Sequence, residues 1–594
     1  MEFDFMQAKL IRLLLCVGVF LLPHSISAAA TDQALKPVYL YVSPASAEYL
    51  KSKGISYDDS ISKWRQYLKK YDKNTKEITK AQLTQKLAPG VLVLPSSLVL
   101  DDDEIKAIKT FALAGGSLLA TGAMATIGQD GHAKSSDLLE VLFKLRILGN
   151  FNRETESTYL MPFGDGPLTW AVPAGRRMHM GQVPANHLRI EADQTAAVFI
   201  GWTRNKNKDP LSAAVAYTES GSHRGVFFAF PESSWGYQKA RDWTALLDGT
   251  MSWLRREPKL FKSAWPHGFA ASHLIEMDTE DKFTSAPNFA ADLEKIGVKG
   301  TFYSLTSEAI KYPAIVKDLL ARGHEIAYHA DVHTGFKSLD AATQEKRIQQ
   351  MRSHMQSILG DKSAGATGFR APTESYDDTT ETLLRKHGIL HHAADPNSLE
   401  DRLPSFSKSE RNVASDKALI ILPRTQLDDL NFQTQLYSTE RIDEEMAFDL
   451  DLAIKGGAFS LFSVHSQNYV DGGYMRKPMS NYLGRVAAAK DRLWVARGDQ
   501  IAAWWRKRES TKVKVTPQDN GLLLQISVPQ TDGIEGLTVI AALPEKDAAI
   551  SVSEHGTAPT KFSTKLLDQF RSALIFNRLD VGEHEYLIKF SKKQ

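Results

Sequence analysis

The sequence predicts an α/β protein with three structural parts: an open α/β sheet, an α/β barrel and a small β-sandwich. Short apolar runs alternate with helix-like stretches from Lys36 to about Arg508, which is typical of parallel sheets covered by helices. Beyond Lys512 the pattern changes to short alternating strands separated by Gly, Pro and Asp turns. The 594 residues also exceed what one hydrophobic core usually supports. After an N-terminal segment, we predict domains over residues 31–262, 263–510 and 511–594.

The composition is that of an ordinary globular protein. Charged residues make up 24% of the chain and hydrophobic residues 43%. The formal net charge of +2 gives no reason to expect a nucleic acid or an anionic membrane as a partner. We therefore predict that nucleic acid is not a partner of this protein.

The first 30 residues have the pattern of a secretory signal peptide. Lys9 and Arg12 precede the apolar run LLLCVGVFLL, and the small residues of SISAAA follow it. The run is shorter than the roughly 20 apolar residues of a comfortable membrane span. We predict cleavage near Ala28 to Ala30, with an uncleaved anchor as the alternative. The sequence therefore predicts a periplasmic or secreted protein with no stable membrane insertion after cleavage.

The only cysteine, Cys16, lies inside this predicted signal peptide. The mature chain would then contain no thiol, which excludes disulfides and thiolate chemistry. Any metal ion must be bound by nitrogen and oxygen ligands instead.

Residues 31–262 alternate between strand-like and helix-like stretches. PVYLYV and VLVLPSSLVL are typical of buried strands, and DDDEIKAIKTFALAGG of a helix that ends in glycines. The acidic residues Asp101 to Asp103 fit a helix N-terminus better than the alternative, a cation site. We predict an open, flavodoxin-like α/β domain with a β-rich insertion at roughly 150–230. The pattern resembles the glutamine-amidotransferase-like domains of carbohydrate enzymes. Because their cysteine nucleophile is absent here, the resemblance implies a scaffold or binding module.

The stretch GHEIAYHADVHTGF contains two histidines four residues apart, His329 and His333. The pair is compatible with one face of a helix, with a solvated turn or with half of a metal site. EIAYH has the pattern of a strand end and HTGF that of a turn, which favours a loop or a single helical turn. A metal site therefore needs a third ligand from elsewhere in the chain.

Three carboxylates follow the predicted strand in ASHLIEMDTEDKF: Asp278, Glu280 and Asp281. Taken alone, this run fits a solvated loop. Together with two imidazoles, one carboxylate would give the ligand set of a catalytic zinc or similar divalent ion, with positions left for water and substrate. A second carboxylate could then take a proton from that water.

The order of several motifs carries a resemblance to a known family. MDTED, VKGTFYSL, RGHEIAYHADVH, GFRAPTESYDDTTETLLRKHGI, HHAADP and FSLFSVHS follow one another over residues 268–508. In this order they resemble the NodB-type polysaccharide deacetylases, carbohydrate esterase family 4. The resemblance implies a NodB-type distorted (β/α) barrel with its site at the C-terminal ends of the strands.

The resemblance also implies roles for the first two motifs. Asp278 would be the general base, and either Glu280 or Asp281 the carboxylate ligand, with Glu280 slightly favoured by its spacing. His329 and His333 would complete the metal shell, for which zinc is the expected ion. Two departures from the family pattern stand out elsewhere: Ala330 replaces the usual Ser or Thr after the first histidine, and Thr373 replaces the usual aromatic residue after the FRAP proline.

The remaining motifs imply the other catalytic groups. Arg370 in FRAP would pair with Asp278 and orient it, and His465 in SVH would be the general acid. Asp395 in HHAADP stands where the family places the acidic partner of that histidine. Asp377 and Asp378 precede TTETLLRK and fit a helix N-terminus better than a metal site.

The predicted reaction is the metal-dependent hydrolysis of N-acetyl groups on an amino-sugar polysaccharide, either an exopolysaccharide or a cell-wall glycan. Two alternatives stay open: a catalytically silent polysaccharide-binding protein, and a related amidase that acts on another C–N bond. The expected partners are the polysaccharide itself and components of the envelope or of polysaccharide export.

Overall fold

A computed structural model describes residues 36–592, except 73, 152–156, 158, 165, 170–171, 173–175, 182–186, 201–212, 236–239, 396–401, 409–416, 519–520 and 555–560. The predicted signal peptide and Cys16 lie outside the described residues. Among the described residues, no helix is both long enough and apolar enough to cross a membrane.

The N-terminal part is a mixed sheet with helices packed against it. Its strands are β1 (Val38–Tyr41), β2 (Lys76–Ile78), β3 (Val91–Leu94), β4 (Ser117–Thr121), β5 (Leu145–Asn150), β6 (Tyr159–Pro162), β7 (Met178–His179), β8 (Leu188–Ala192), β9 (Thr195–Ile200), β10 (Ala213–Ser220) and β11 (His223–Phe228). Its helices are α1 (Pro44–Ser52), α2 (Tyr57–Tyr71), α3 (Lys80–Leu83), α4 (Asp102–Leu113), α5 (Asp137–Phe143) and α6 (Ala240–Arg255).

Nine of these strands form one sheet in the order β2-β1-β3-β4-β11-β10-β9-β6-β7, and β5 pairs with β8. The first five strands in this order, β2, β1, β3, β4 and β11, pair in parallel. The remaining pairings are antiparallel. The sheet is therefore open and of α/β type, and its flavodoxin-like class stays a prediction. Asp101 caps α4 in a capping box with Glu104, which confirms the acidic run as a helix N-terminus.

The central part carries the strands and helices of the predicted barrel. Its strands are β13 (Ala271–Thr279), β14 (Thr301–Ser304), β15 (Glu325–Tyr328), β16 (Gly368–Phe369), β17 (His391–Ala394), β18 (Ser405–Phe406), β19 (Ile420–Pro423), β20 (Phe459–His465) and β21 (Leu493–Val495). Its helices are α7 (Ala286–Lys295), α8 (Thr306–Ala309), α9 (Pro313–Ala321), α10 (Ala341–Leu359), α11 (Asp378–Lys386), α12 (Asp429–Thr434), α13 (Thr439–Gly456), α14 (Arg476–Ala488) and α15 (Gly498–Ser510). Short 3₁₀ turns lie at Phe283–Ser285, Gly360–Gly365, Pro372–Glu374 and Ser466–Asn468.

The central sheet curls toward a barrel without closing. Its strands run in the order β18-β19-β17-β16-β15-β14-β13-β20, and β21 also pairs with β13. Every pairing is parallel except that of the short edge strand β18. Strands β19 and β20 approach each other, but no hydrogen-bonded ladder joins these two described strands. Because the sheet is parallel, the carboxyl ends of its strands share one side, and the predicted site residues follow those ends.

The C-terminal part consists of antiparallel sheets. Its strands are β12 (Lys259–Lys262), β22 (Lys512–Gln518), β23 (Gly521–Val528), β24 (Ile534–Glu535), β25 (Thr538–Ala542), β26 (Ala549–Glu554), β27 (Phe562–Asp568), β28 (Arg571–Phe576), β29 (Arg578–Leu579) and β30 (Gly582–Ser591). They form two four-stranded sheets, β12-β25-β28-β27 and β22-β23-β30-β26, and the ribbon β24-β29. Phe576 and Tyr586 bring the two larger sheets together, with ring centroids 4.9 Å apart. The β-sandwich class stays a prediction.

One strand pairs across a predicted domain boundary. β12 ends at Lys262, inside the segment assigned to the first domain, yet it pairs with β25 of the C-terminal part. One hydrophobic cluster also contains barrel residues such as Tyr303 together with Leu524 and Leu574 of the C-terminal sheets. The sequence did not predict this pairing, because β12 lies only a short distance before the barrel in the chain. The division into three domains otherwise stays a prediction.

Candidate active site

The site lies where β13, β15, β16 and β20 end. Asp278 is the penultimate residue of β13, and the strand register places it beside Tyr303 of β14 and His465 of β20. His329 directly follows β15, and Arg370 directly follows β16. The structure therefore brings together residues that are up to 187 positions apart in the chain.

Glu280, His329 and His333 form a compact group of potential metal ligands. Oε1 of Glu280 lies 3.0 Å from Nε2 of His329 and 2.8 Å from Nε2 of His333. One potential ligand atom from each residue lies within 4.8 Å of the other two. Asp281, the other predicted carboxylate ligand, has an exposed side chain and does not belong to this group. Of the two carboxylates that the sequence leaves open as ligands, Glu280 is the one that lies beside both histidines.

The chemistry of this group fits a divalent cation. Nδ1 of His329 donates a hydrogen bond to the carbonyl oxygen of Arg370, at 3.0 Å, so Nε2 is the ring nitrogen that faces Glu280. A ring nitrogen that faces a carboxylate oxygen at 3.0 Å needs a proton or a cation between them. Two imidazole nitrogens and one carboxylate are suitable ligands for zinc and for several other divalent ions.

The hydrogen bonds within this group keep Glu280 ionised and favour a proton on His333, which a bound cation would displace. Burial acts to raise the pKa of Glu280, but the hydrogen bonds from both histidines outweigh burial and hold that pKa well below its ordinary value. The hydrogen bond to Glu280 raises the pKa of His333. Gln467 donates to the second carboxylate oxygen, Oε2, at 3.1 Å, which fixes the orientation of the carboxylate. The side chain of His333 is 42% exposed, which leaves an open side for water and substrate.

The loop that carries both histidines is held by a residue that the sequence analysis missed. Arg347 of α10 donates from Nε to the Asp331 carboxylate, and from its terminal nitrogens to the carbonyl oxygens of Val332, Thr334 and Gly335, at 2.7–3.0 Å. Asp331 is thus a buried partner of Arg347 and lies outside the group of potential ligands.

Ala330, which replaces the hydroxyl residue usual in the family, is buried and has a φ of 67°. The left-handed backbone at this position turns the loop between the two histidines. Its carbonyl oxygen accepts hydrogen bonds from the backbone N–H and the hydroxyl of Thr306, at 3.0 and 3.2 Å. The loop is therefore supported from α8 without a hydroxyl on residue 330.

Asp278 lies beside this group of potential metal ligands and pairs with Arg370, as predicted. Nε of Arg370 lies 2.9 Å from Oδ2 of Asp278, and both side chains are nearly fully buried. Among the described residues, Oδ1 of Asp278 has no hydrogen-bond partner. A buried carboxylate oxygen without a partner is costly, unless a water molecule or a substrate completes it. This oxygen is free to accept a proton.

The histidine at the end of β20 has a different acidic partner from the one that the sequence predicts. Nδ1 of His465 lies 2.7 Å from Oδ1 of Asp429, whose Oδ2 accepts from the backbone N–H of His465 at 2.8 Å and from Asn468 at 2.9 Å. Asp395, the predicted partner, is exposed, whereas the residue paired with Nδ1 of His465 is Asp429. The assignment is corrected to Asp429, the first residue of α12, which is fully buried.

Asp429 and its neighbours keep His465 protonated. Burial acts to lower the pKa of His465, but the carboxylates of Asp429 and Asp278 outweigh burial and raise it to about 9. Nε2 of His465 points back toward the site, 3.5 Å from Oδ2 of Asp278. A protonated histidine therefore stands beside an ionisable carboxylate. Catalysis by a base and then an acid requires this arrangement.

Two other predicted residues lie at a helix start. Asp377 is the N-cap of α11 and accepts from the backbone N–H of Thr380 at 2.9 Å, and Asp378 is the first residue of that helix. Both stand outside the groups of potential metal ligands among the described residues, in agreement with the prediction.

The comparisons with known proteins identify the central region. The family model described as polysaccharide deacetylase matches residues 278–391, which include Asp278, Glu280, both loop histidines and Arg370. This part of the chain is therefore a polysaccharide deacetylase domain of the NodB type. The resemblance of residues 31–262 to glutamine-amidotransferase-like domains is not supported. Curated proteins provide no match.

Several solved structures are similar to part of this chain. One is a putative polysaccharide deacetylase from Mycobacterium smegmatis, with 21% identity and a TM-score of 0.36, over 44% of this chain and 99% of that one. Another is a probable polysaccharide deacetylase from Pseudomonas aeruginosa PAO1, with 16% identity and a TM-score of 0.36, over 41% and 93%. A third is a pseudoenzyme of the CE4 family from Bacillus anthracis, with 11% identity and a TM-score of 0.28. The match covers 39% of this chain and 65% of that one.

Proposed function

We propose that this protein is a metal-dependent hydrolase that removes N-acetyl groups from an amino-sugar polysaccharide. The observation that carries the proposal is the meeting of three kinds of group at one end of the central sheet. These are the potential metal ligands Glu280, His329 and His333, the carboxylate of Asp278, and the protonated His465. The polysaccharide deacetylase domain supports the choice of substrate class.

The residues of the site divide the reaction among them. A divalent cation held by Glu280, His329 and His333 would polarise the acetamide carbonyl and make a water molecule more acidic. Asp278 takes a proton from the attacking water on its unpartnered Oδ1, while Arg370 keeps the carboxylate in place through Oδ2. The water oxygen forms the new bond to the acyl carbon, and the C–N bond breaks.

His465 completes the reaction. Its protonated Nε2 faces the site and gives its proton to the departing amine, so acetate and a free amino sugar are released. Asp429 fixes Nδ1 on the other side of the ring and stabilises the positive charge. Base and acid are thus different residues that need opposite charge states before the reaction starts.

The proposal is tested by acetate release from a panel of substrates. The purified protein is incubated with chitin oligomers, poly-N-acetylglucosamine and peptidoglycan fragments, before and after removal of metal by a chelator and after its return. Acetate that disappears with the chelator and returns with zinc or another divalent ion supports the proposal. Absence of acetate from every substrate, with metal bound, would favour the silent polysaccharide-binding protein. Amine release from non-acetylated amides would favour the related amidase.

We also propose that the protein works in the periplasm or outside the cell, where polymers of this class are found. The support is the sequence pattern of residues 1–30 and the absence of cysteine from the rest of the chain. Fusion of residues 1–30 to a reporter that is active only after export tests the proposal, and a reporter retained in the cytoplasm would contradict it.

A further inference from the structure

The guanidinium of Arg370 has a separate carboxylate for each of its three nitrogens. Nε faces Asp278, the first terminal nitrogen contacts Glu276, and the second lies 3.3 Å from Oε1 of Glu374. A planar group held at all three nitrogens cannot rotate without breaking an ion pair. The direction in which Nε points is therefore set by Glu276 and Glu374 as well as by Asp278.

Glu276 is placed for this contact by the strand itself. It lies two residues before Asp278 on β13, so both side chains stand on the same face of the sheet. It is fully buried, and burial outweighs the effect of Arg370 and raises the pKa of Glu276 above its ordinary value. Its oxygen Oε1 accepts from the first terminal nitrogen of Arg370.

Glu374 reaches Arg370 from a strained turn. Thr373 and Glu374 have φ values of 55° and 53°, which non-glycine residues rarely adopt. A backbone of this kind persists only where its surroundings compensate for the strain. Here Arg424 donates to Oε1 of Glu374 at 2.7 Å and also pairs with Asp428. Glu374 is thus fixed between two arginines, one of which contacts the general base.

We propose that Glu276 and Glu374 are positioning residues that hold the guanidinium of Arg370 so that its Nε stays directed at Asp278. This inference rests on the proposed function, because it assigns the two residues a role in the action of the general base. They touch neither the potential metal ligands nor the reacting atoms, and they act through Arg370. With the guanidinium fixed, Oδ2 of Asp278 stays occupied and Oδ1 alone faces the attacking water.

A second buried carboxylate offers a matched control. Glu325 of β15 lies in the same sheet and is also nearly fully buried. Its described hydrogen bonds go to His391 at 2.7 Å, to Thr301 at 2.7 Å and to the backbone N–H of Asp499 at 3.0 Å. A change at Glu325 therefore disturbs a buried carboxylate of the sheet without touching Arg370.

The test compares Glu276→Leu, Glu276→Gln, Glu374→Ala and the control Glu325→Gln. We expect kcat to fall about 10- to 100-fold in Glu276→Leu and Glu374→Ala, because a catalytic group displaced by about 1 Å loses a factor of this size. KM and bound metal should change little. Glu276→Gln keeps the accepting oxygen and should recover most of the lost kcat. In Glu325→Gln, kcat per folded, metal-loaded molecule should stay close to that of the unchanged protein.

Crystal structures separate a failure of this inference from a failure of the proposed function. In Glu374→Ala, whose altered side chain is partly exposed and least able to disturb folding, the Arg370 Nε to Asp278 Oδ2 distance should exceed 2.9 Å. The inference is overturned if kcat and this distance are both unchanged in Glu276→Leu and Glu374→Ala. It is also overturned if Glu325→Gln lowers kcat as much as they do. If the unchanged protein releases no acetate, the proposed function is refuted. The structures of the variants would still show whether Glu276 and Glu374 hold Arg370 in place.

Discussion

The side of the site that carries His333 is open to water, whereas the side that carries Asp278 and His465 is closed. The side chain of His333 is 42% exposed, and those of Asp278 and His465 are 1% and 7% exposed. An open side lets ions, water and polymer enter and leave. A closed side lets neighbouring charges set the protonation of the acid and the base, because low dielectric strengthens those interactions. Changes on the closed side should therefore alter turnover, and changes on the open side should alter metal binding.

The largest effect is expected on the closed side, for Asp278→Asn. The amide cannot take a proton from water, so kcat should fall by about 10²- to 10⁴-fold, while bound metal stays unchanged. Acetate release and metal analysis of the same preparation measure both quantities. The control is Asp281→Asn, which changes an exposed neighbour and should leave both near their original values. Full activity in Asp278→Asn would show that another group is the base.

The positions of Asp278 and of the histidine loop could be predicted from the sequence because short motifs carry them. Asp278 stands at the end of the strand-like stretch in ASHLIEMDTEDKF and His329 directly follows EIAY, and a parallel sheet brings such strand ends together. The choice between Glu280 and Asp281 was left open because the two adjacent residues follow the same strand. Only the path of the chain after Thr279, where β13 ends, decides which carboxylate turns inward.

The sequence analysis missed the acidic partner of His465 because the residues around it have the pattern of a helix N-terminus. Asp429 lies 36 positions before His465, after β19, and the pair Asp428 and Asp429 has the pattern of a helix N-terminus. Asp428 is the N-cap of α12, and Asp429, the first residue of that helix, contacts His465. Asp429 could have been recognised as a candidate because both acids lie shortly after the apolar run ALIILP, where a strand of the sheet ends. Arg347 and Glu276 gave no comparable signal, since each stands in an ordinary helix or strand pattern.

On the open side, His333→Ala should remove metal and activity together. The group of ligands loses one imidazole, so metal affinity should fall by more than about 100-fold, beyond the loss typical of residues that only support a ligand. Competition with a chelator of known affinity measures the change. Restoring activity with excess metal would be compatible with this assignment. Unchanged affinity would place the ion elsewhere.

The pH dependence of turnover tests the closed side again, with a smaller effect. The pKa of His465 is raised to about 9, so the acid form is present at neutral pH and is lost as the pH rises through about 9. In Asp429→Asn the main cause of the increase is gone and burial lowers the pKa. The alkaline limb of the kcat profile should then move down by about 1–3 pH units. A limb that stays in place would separate Asp429 from the proton donor.

The smallest effect is expected for Arg347→Met, which loosens the loop without changing a ligand. Arg347 joins Asp331 to three backbone carbonyl oxygens, and its loss leaves these acceptors without a donor. Metal affinity should fall about 10-fold, as is typical for residues that support a ligand, and the free energy of unfolding by about 1–3 kcal/mol. Chelator competition and thermal unfolding measure the two changes.

The matched control for this prediction is Lys346→Met, an exposed neighbour on the same helix that points away from the loop contacts of Arg347. Comparing the two variants removes the effect of replacing a cation on α10, and leaves only the effect of the loop contacts. If both variants bind metal equally well, the loop keeps its shape without Arg347. The position of His333 would then be set by Ala330 and by the ion itself, and the open side of the site would organise only when metal binds.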